Sequence, residues 1–326
     1  MSASTLRLGL IGAGWIAGLH LEALARLGRT ELVGVVSATG SGATALAARW
    51  GGRVYADLEH LLDEARIDVA YVCVPPYRAV AIGERLVERA IPFLTEKPLA
   101  ATDAEGPTRL AAAIDRAGLI VAVGYHLRAL DIMPAVRERL ADHPPALIDA
   151  RWLGGTPGPA WWKFADQGGG QVVEQATHLY DLARHLLGEA EVAGAASVRD
   201  PARGSDTLDV ADATAAVLRF DSGAVGTFAN TRIIANGVVS VALASEDLLT
   251  VLSKGDRGQG DWHATFDDGK APVQLHAERD PYEIQAMAFL DAVETGDPGR
   301  VLSTYRDALA TDRLTRSVVA ATGTTG

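Results

Sequence analysis

Glu96-Lys97-Pro98 follows a short apolar run, Pro92–Thr95, that reads as a strand. A lysine at the carboxyl end of a strand can steady a developing alkoxide and lower the pKa of a hydroxyl beside it. The same residue could be an ordinary surface cation, but the chain has only four lysines. Farther along, Gly168-Gly169-Gly170 precedes a segment with helical spacing, Gln171–Leu187. Glu174, His178, Asp181 and His185 recur there at i, i+4, i+7 and i+11, which places them on one helix face. Val172, Ala176, Leu179, Ala183 and Leu186 form the opposite, apolar stripe. Periodicity alone makes the polar face the solvated side of an amphipathic helix. The glycine triplet argues for chemistry, because it lets the backbone come close to a ligand. His178 is then the natural general base, since imidazole titrates near neutrality. Glu174 or Asp181 could orient it or bind substrate hydroxyls. His and carboxylates at i, i+4 can also chelate, but the spacing dictates no third ligand, so no metal is expected.

A second constellation lies near the N-terminus. The apolar run Leu6–Ile11 leads into Gly12-Ala13-Gly14-Trp15-Ile16-Ala17, which opens a helical pattern. This is the G-x-G-x-x-A form of the dinucleotide fingerprint in its required strand, turn and helix context. Gly12 permits the tight turn, Gly14 lets a pyrophosphate approach the backbone, and Ala17 keeps helix and strand close. The phosphates would sit at the helix N-terminus, where free N–H groups and the dipole attract anions. The expected cofactor contacts are Gly12, Gly14, Trp15 and Ile16, with Ser37, Val74, Pro75, Glu96 and Lys97 at the ends of later strands. NAD sites usually carry an acidic residue about 20 positions on, for the ribose 2′-hydroxyl. From Leu32 to Ala56 this chain has no Asp or Glu; Ser37, Thr39, Gly40, Ser41 and Gly42 stand there instead. The cofactor is therefore NAD or NADP, tipped toward NADP because no carboxylate is present to repel a 2′-phosphate.

The elements that must position these residues follow from the pattern. Up to Gly124, β-like runs alternate with helical ones: Leu6–Ile11, Ile16–Leu27, Glu31–Ser37, Ala43–Trp50, Val54–Tyr55, Leu58–Ala65, Val69–Val74, Val80–Ala90, Pro92–Thr95, Pro107–Ala117 and Leu119–Gly124. Such alternation predicts a doubly wound parallel sheet, and continuous apolar strands predict burial on both faces. From Tyr125 onward β-like runs dominate: Ala146–Trp152, Val192–Val198, Asp212–Phe220, Val225–Arg232, Val238–Leu243 and Leu248–Leu252, with Asp221-Ser222-Gly223 as a hairpin turn. Helices are expected over Gln171–Leu187, Glu283–Glu294 and Tyr305–Ala321. The expected fold is α/β: a Rossmann domain over 1–124, then an α+β domain over 125–326 with a large, mostly antiparallel sheet. The open face of that sheet favours a homodimer.

Composition excludes other classes. The chain has 326 residues, 48% hydrophobic and 22% charged, which suits a two-domain globular protein. A formal net charge of -11 argues against nucleic acid, whose binding rests on phosphate neutralisation. The single cysteine, Cys73, rules out a disulfide framework and lies in an apolar run, so it reads as a buried inert thiol. Neither a signal peptide nor a membrane-spanning apolar stretch is evident, so a cytoplasmic location is expected.

Taken together, these motifs resemble the Gfo/Idh/MocA family of glucose–fructose oxidoreductase, inositol dehydrogenase and rhizopine-catabolism proteins. The resemblance rests on Gly12–Ala17 with His20 following, Glu96-Lys97-Pro98, Gly124-Tyr125-His126-Leu127-Arg128, the tryptophans before Gly168–Gly170, and His178-Leu179-Tyr180-Asp181. It implies an NAD(P)-dependent oxidoreductase acting on a sugar, polyol or related cyclic hydroxyl or keto compound, assembled as a homodimer or homotetramer. It implies Lys97 and His178 as the catalytic pair, Glu174 at the place of the family's usual Asp, and Asp181 on substrate hydroxyls. Trp162, His126 and Arg128 join the expected substrate contacts. Three departures stand out: Glu174 is one methylene longer than Asp, Pro75-Pro76-Tyr77 replaces the frequent Pro-Asn-His, and the acidic or arginine signature of the second strand is missing. Two other functions suit the scaffold, an NAD-dependent glycoside hydrolase and a non-catalytic nucleotide sensor. A sensor would have no need of Lys97 and His178.

Overall fold

The computed structural model describes residues 5–200, 208–255 and 261–323. They form two compact units, Met1–Ala129 with Asp280–Leu309, and Leu130–Arg279 with Ala310–Gly326.

The first unit begins with β1 (Leu6–Ile11), α1 (Trp15–Leu27), β2 (Thr30–Val36), α2 (Gly40–Trp50) and β3 (Arg53–Val54). It continues with α3 (Leu58–Glu64), β4 (Val69–Val72), α4 (Pro76–Glu88), β5 (Phe93–Thr95), α5 (Gly106–Ala117) and β6 (Val121–Val123). The six strands pair in parallel in the order β3-β2-β1-β4-β5-β6. Successive residues of one strand enter different cores: Val69 and Tyr71 pack with Leu8, Leu10 and Leu94, whereas Ala70 and Val72 pack with Ile11, Phe93 and Val121. Both faces are thus covered, as the continuous apolar runs require. The order reverses between β1 and β4, so their carboxyl ends frame the crevice where such sheets bind ligands.

One detail departs from expectation. Pro75-Pro76 does not simply stop a strand; Pro76 occupies the first turn of α4, which starts ahead of the Val80 boundary. A proline there gives up an N–H that had no helical partner anyway.

The second unit opens with α6 (Met133–Asp142), β7 (Leu147–Gly155), α7 (Ala165–Gly168), α8 (Gly170–Glu174) and α9 (Thr177–Leu187). Seven strands follow: β8 (Ala190–Val198), β9 (Ala213–Phe220), β10 (Val225–Thr231), β11 (Ile233–Ala244), β12 (Leu249–Lys254), β13 (Trp262–Asp267) and β14 (Val273–His276). Two helices, α10 (Pro281–Thr295) and α11 (Tyr305–Ala321), end the chain. The eight strands are ordered β14-β13-β12-β11-β7-β10-β9-β8, with β7 and β10 parallel and the other neighbours antiparallel. Burial alternates along β9, with Ala216, Leu218 and Phe220 inside and Ala215, Val217 and Arg219 outside. Helices cover the inner face: Tyr180 of α9 stacks on Phe228 of β10 with ring centroids 4.4 Å apart.

Three further differences from the sequence pattern have physical causes. Gln171–Leu187 is not one helix but two, α8 and α9, interrupted at Gln175 and Ala176. Its polar stripe is not a solvated side, because His178 and Asp181 are buried. Finally, α10 returns to the first unit, where Ala286, Phe289 and Leu290 share a core with Leu21 and Leu24 of α1. A cut at 124/125 cannot express that return. The helix α6, the strand β13 and the edge strand β14 carry no strong signal in the sequence and emerge only here.

Candidate active site

In the first unit, three segments leave the sheet at its carboxyl edge: Gly12–Gly14 after β1, Val74–Pro75 after β4, and Glu96–Lys97 after β5. Gly12 has φ +100, and a Cβ there would lie 2.1 Å from the carbonyl oxygen of Cys73. Only glycine can make this turn. Gly14 is different: an added Cβ would meet nothing of the protein within 4 Å. The chain itself does not require a glycine at that point; a ligand lying against the backbone would. Gly14 also caps α1, and among the described residues no side-chain cap bonds to that first turn. Ala17 is fully buried against the sheet, while Trp15 is 78% exposed at the helix start. These residues therefore fit a dinucleotide pyrophosphate.

Beyond β2, the Thr39 N–H donates to Ser37 Oγ at 3.4 Å, and Thr39 caps α2 without a side-chain bond to it. Gly42 packs on the first turn, since a Cβ there would fall 2.8 Å from Ala13 O. Arg49 is bound to Glu22 at 3.0 Å and lies over Trp50. The segment after β2 thus offers hydroxyls and backbone N–H groups rather than a carboxylate.

Glu96 does not project from the edge. It is buried, its Oε1 lies 2.8 Å from Nε2 of buried His20, and its Oε2 accepts the Lys97 N–H at 3.2 Å. Burial pushes this carboxyl up, but the His20 hydrogen bond and the nearby positive charge of Lys97 outweigh it and hold the group below the usual carboxylate range. Gly124 leaves room for it, since a Cβ there would come within 2.8 Å of the carboxylate. Lys97 itself is half-buried. Burial raises the Cys73 thiol, in keeping with an inert packing role.

The residues expected to bind substrate from the Gly124–Arg128 stretch have local partners in this unit. His126 stacks on Tyr282 at 5.1 Å. Arg128 is buried, pairs with Asp307 at 2.6 Å and donates to Leu302 O at 3.2 Å.

In the second unit, Glu174 ends α8 and accepts the indole N–H of Trp162 at 2.8 Å. Trp162 is buried with Leu208 and Val210, so its ring is core rather than an open platform for a sugar. His178 lies in the first turn of α9, and its ring stacks on Trp152 of β7 at 5.8 Å with planes 18° apart. The Gln171 side-chain amide ties the helix start to the sheet, donating to Thr231 O at 2.6 Å and accepting from Asn230 Nδ2 at 3.1 Å. Asp181 has no exposed surface and accepts from Thr311 Oγ1 at 3.1 Å. Its carboxylate is thus engaged within the packing of α9 and α11. A cavity of about 370 Å³ in this unit is lined by Gly169, Gly170, Gln171, Arg199, Asp209 and Thr214 among others. Glu174 and His178 do not line it. Among the described residues, no three His, Cys, Asp or Glu side chains stand together as a metal site, and no helix is long and apolar enough to cross a membrane.

Two features escaped the sequence reading: the His20–Glu96 pair and the Trp152–His178 stack. The first had a signal, because His20 follows the glycine fingerprint at a helical interval that puts it on the buried side with Ala17. The second had none, since it joins a strand to a helix 26 residues later.

Comparison with known proteins agrees with the two-part fold. A model described as an oxidoreductase family with an NAD-binding Rossmann fold matches residues 6–125, and one described as the GFO/IDH/MocA C-terminal domain matches residues 144–247. The chain is 28% identical over 232 residues to the inositol 2-dehydrogenase of Rhizobium meliloti, covering 70% of this chain and 69% of that one. It is 24% identical over 321 residues to the myo-inositol 2-dehydrogenase of Thermotoga maritima, covering 91% and 90%. Among solved structures, it shares its fold with a 3-ketoreductase from Actinomadura kijaniata in complex with NADP and TDP-benzene, with TM-score 0.85, 20% identity and 98% of both chains covered.

Proposed function

The chain belongs to the GFO/IDH/MocA oxidoreductase family, and from that premise we propose that it moves a hydride between a nicotinamide and a ring carbon of a sugar or polyol. The observation that carries this reading is the carboxyl edge of the first sheet. There the Gly14 turn is open to a ligand, and the same edge presents Lys97.

A bound NAD or NADP supplies the hydride acceptor or donor. Gly12, Gly14 and the first turn of α1 would hold its pyrophosphate, with Trp15, Ile16, Val74 and Pro75 alongside. Ser37, Thr39 and the start of α2 would receive the far ribose, and the missing carboxylate favours NADP. In the oxidising direction Lys97 places its cationic amine against the substrate oxygen and steadies the alkoxide. His178 takes the hydroxyl proton. Glu174, four residues before His178 and held by the Trp162 indole, is the carboxylate that would orient it. Asp181 is engaged with Thr311 in the second unit and Arg128 with Asp307 in the first. The relatives named for inositol support a cyclic polyol or sugar as the substrate class.

The outer face of the second sheet supports a homo-oligomer. Val225, Leu147, Ala244 and Leu249 form one cross-strand row, and three of these side chains are more than 39% exposed apolar groups. The chain is expected to sediment as a dimer or tetramer, and Leu147→Lys with Leu249→Lys to shift it toward monomer.

The function is tested by following nicotinamide absorbance with NAD and NADP against inositols, hexoses and keto-sugars. Turnover with one cofactor, falling about 10²- to 10⁴-fold in Lys97→Ala and in His178→Ala, supports the reading. Wild-type turnover in both variants would overturn the assigned roles. Silence across the panel despite dinucleotide binding, accompanied by glycoside cleavage, would overturn the reaction class.

A further inference from the structure

His20 is a costly residue to bury. Its ring is 1% exposed, and Nδ1 is buried with no hydrogen-bond partner among the described residues. Its Nε2 is committed to Glu96 at 2.8 Å. Tyr71 and Tyr282 enclose it edge-on, with ring centroids at 5.2 and 5.3 Å. A buried ion or polar pair with an orphaned nitrogen is a poor stability device, since apolar residues of like volume usually serve as well or better. Such a pair is retained where it orients something.

What it orients can be read from the second carboxylate oxygen. Glu96 Oε2 accepts the main-chain N–H of Lys97 at 3.2 Å, and the Glu96 N–H donates to Val72 O at 2.9 Å. Glu96 is thus fixed at its backbone by β4 and at its side chain by α1, and it returns that constraint to the peptide of the lysine. With His20 removed, Glu96 Oε1 loses its donor inside a water-poor pocket, and the carboxylate must rotate or take up a proton. Either change loosens the Lys97 peptide. His20 sits six residues after Gly14 on the same helix, so the element that offers its N-terminus to the phosphates also sets the lysine segment.

We propose that His20 is a positioning residue: through Glu96 it fixes the backbone from which Lys97 acts. This rests on the reading of Lys97 as the group that meets the substrate oxygen.

The test uses the full chain with His20→Leu, His20→Gln, Lys97→Ala and the double variant. Hydrogen exchange at the Lys97 amide and the acylation rate of its amine by acetic anhydride are followed by mass spectrometry. Lys270, 83% exposed, serves as the internal standard. In His20→Leu the amide is expected to exchange at least tenfold faster and the amine to change reactivity at least threefold. His20→Gln, whose amide can still donate to Glu96, is expected to stay within about twofold of wild type and to stay folded. In turnover, His20→Leu is expected to lower kcat about tenfold with dinucleotide affinity unchanged, and to cost nothing further in the Lys97→Ala background. Lys97 exchange and reactivity unaltered in folded His20→Leu would overturn the inference, as would loss of the same size in His20→Gln. Wild-type turnover in Lys97→Ala would instead overturn the role of Lys97 and leave the His20 effect on its peptide standing.

Discussion

Gly12 and Gly14 look equivalent in the fingerprint, yet alanine at each should fail in opposite ways. Gly14 has φ −83 and ψ −176, an extended conformation open to any residue, and its added Cβ would touch nothing within 4 Å. Gly14→Ala gives up a slightly better helix cap, about 0.5 kcal/mol. It gains about 0.4–1 kcal/mol from a less flexible unfolded chain. The two nearly cancel, so the melting temperature should move by no more than about 2 °C. The methyl nevertheless fills the approach to uncapped N–H groups. Losing one charge-assisted hydrogen bond there costs about 1.5–3 kcal/mol, a ten- to hundredfold weaker dinucleotide Kd. Gly12→Ala reverses the pattern. A positive φ costs about 1–3 kcal/mol for a residue with a side chain. The Cβ would also stand 2.1 Å from Cys73 O, part of a segment held by the Cys73 N–H on Ile11 O at 2.7 Å. A loss of several kcal/mol follows, and the turn must shift. Scanning calorimetry paired with dinucleotide titration by tryptophan fluorescence separates the two effects. A folded Gly14→Ala binding as tightly as wild type would refute the phosphate assignment, and an undiminished melting temperature in Gly12→Ala would refute the steric one.

Other outcomes follow from the same geometry. Asp212 and Arg232 form a buried ion pair whose side chains are 1% and 5% exposed; Asp212→Ala should cost about 3–5 kcal/mol in urea unfolding, and Asp212→Leu with Arg232→Met should recover most of it. Glu96 has a depressed pKa in the folded protein, so its contribution to stability is complete above the ordinary value of 4.5 and is lost as pH falls through the folded one. Urea midpoints measured from neutral pH downward should therefore fall more steeply below that value in wild type than in Glu96→Gln, and identical slopes would contradict the sign. Trp162→Phe keeps an aromatic ring but removes the donor to Glu174, so kcat should drop about tenfold with a smaller change in KM; unchanged kcat would detach Glu174 from the chemistry.

Much of the first unit was written in the sequence, because its determinants are local. Continuous apolar runs such as Val69–Val74 read as strands covered on both faces, and Gly12–Ala17 encodes its turn within six residues. The positions of Lys97 and the glycine fingerprint at one sheet edge follow from strand alternation alone. Periodicity misled where burial depends on partners distant in the chain. The stripe from Glu174 to His185 looked solvated, but Trp152, Trp162 and Thr311 close over its members from β7, the segment after it and α11. The break at Gln175–Ala176 has no local breaker residue; it arises where α8 is tied to the sheet through Gln171 and α9 packs through Tyr180. Likewise α10 reads as one more C-terminal helix until its apolar face meets α1. The residue sequence determined which groups could do chemistry and which local turns present them. Only the tertiary structure decided which were sealed, paired or held in place, because desolvation and long-range hydrogen bonds are properties of what packs against a residue and not of its neighbours in the chain.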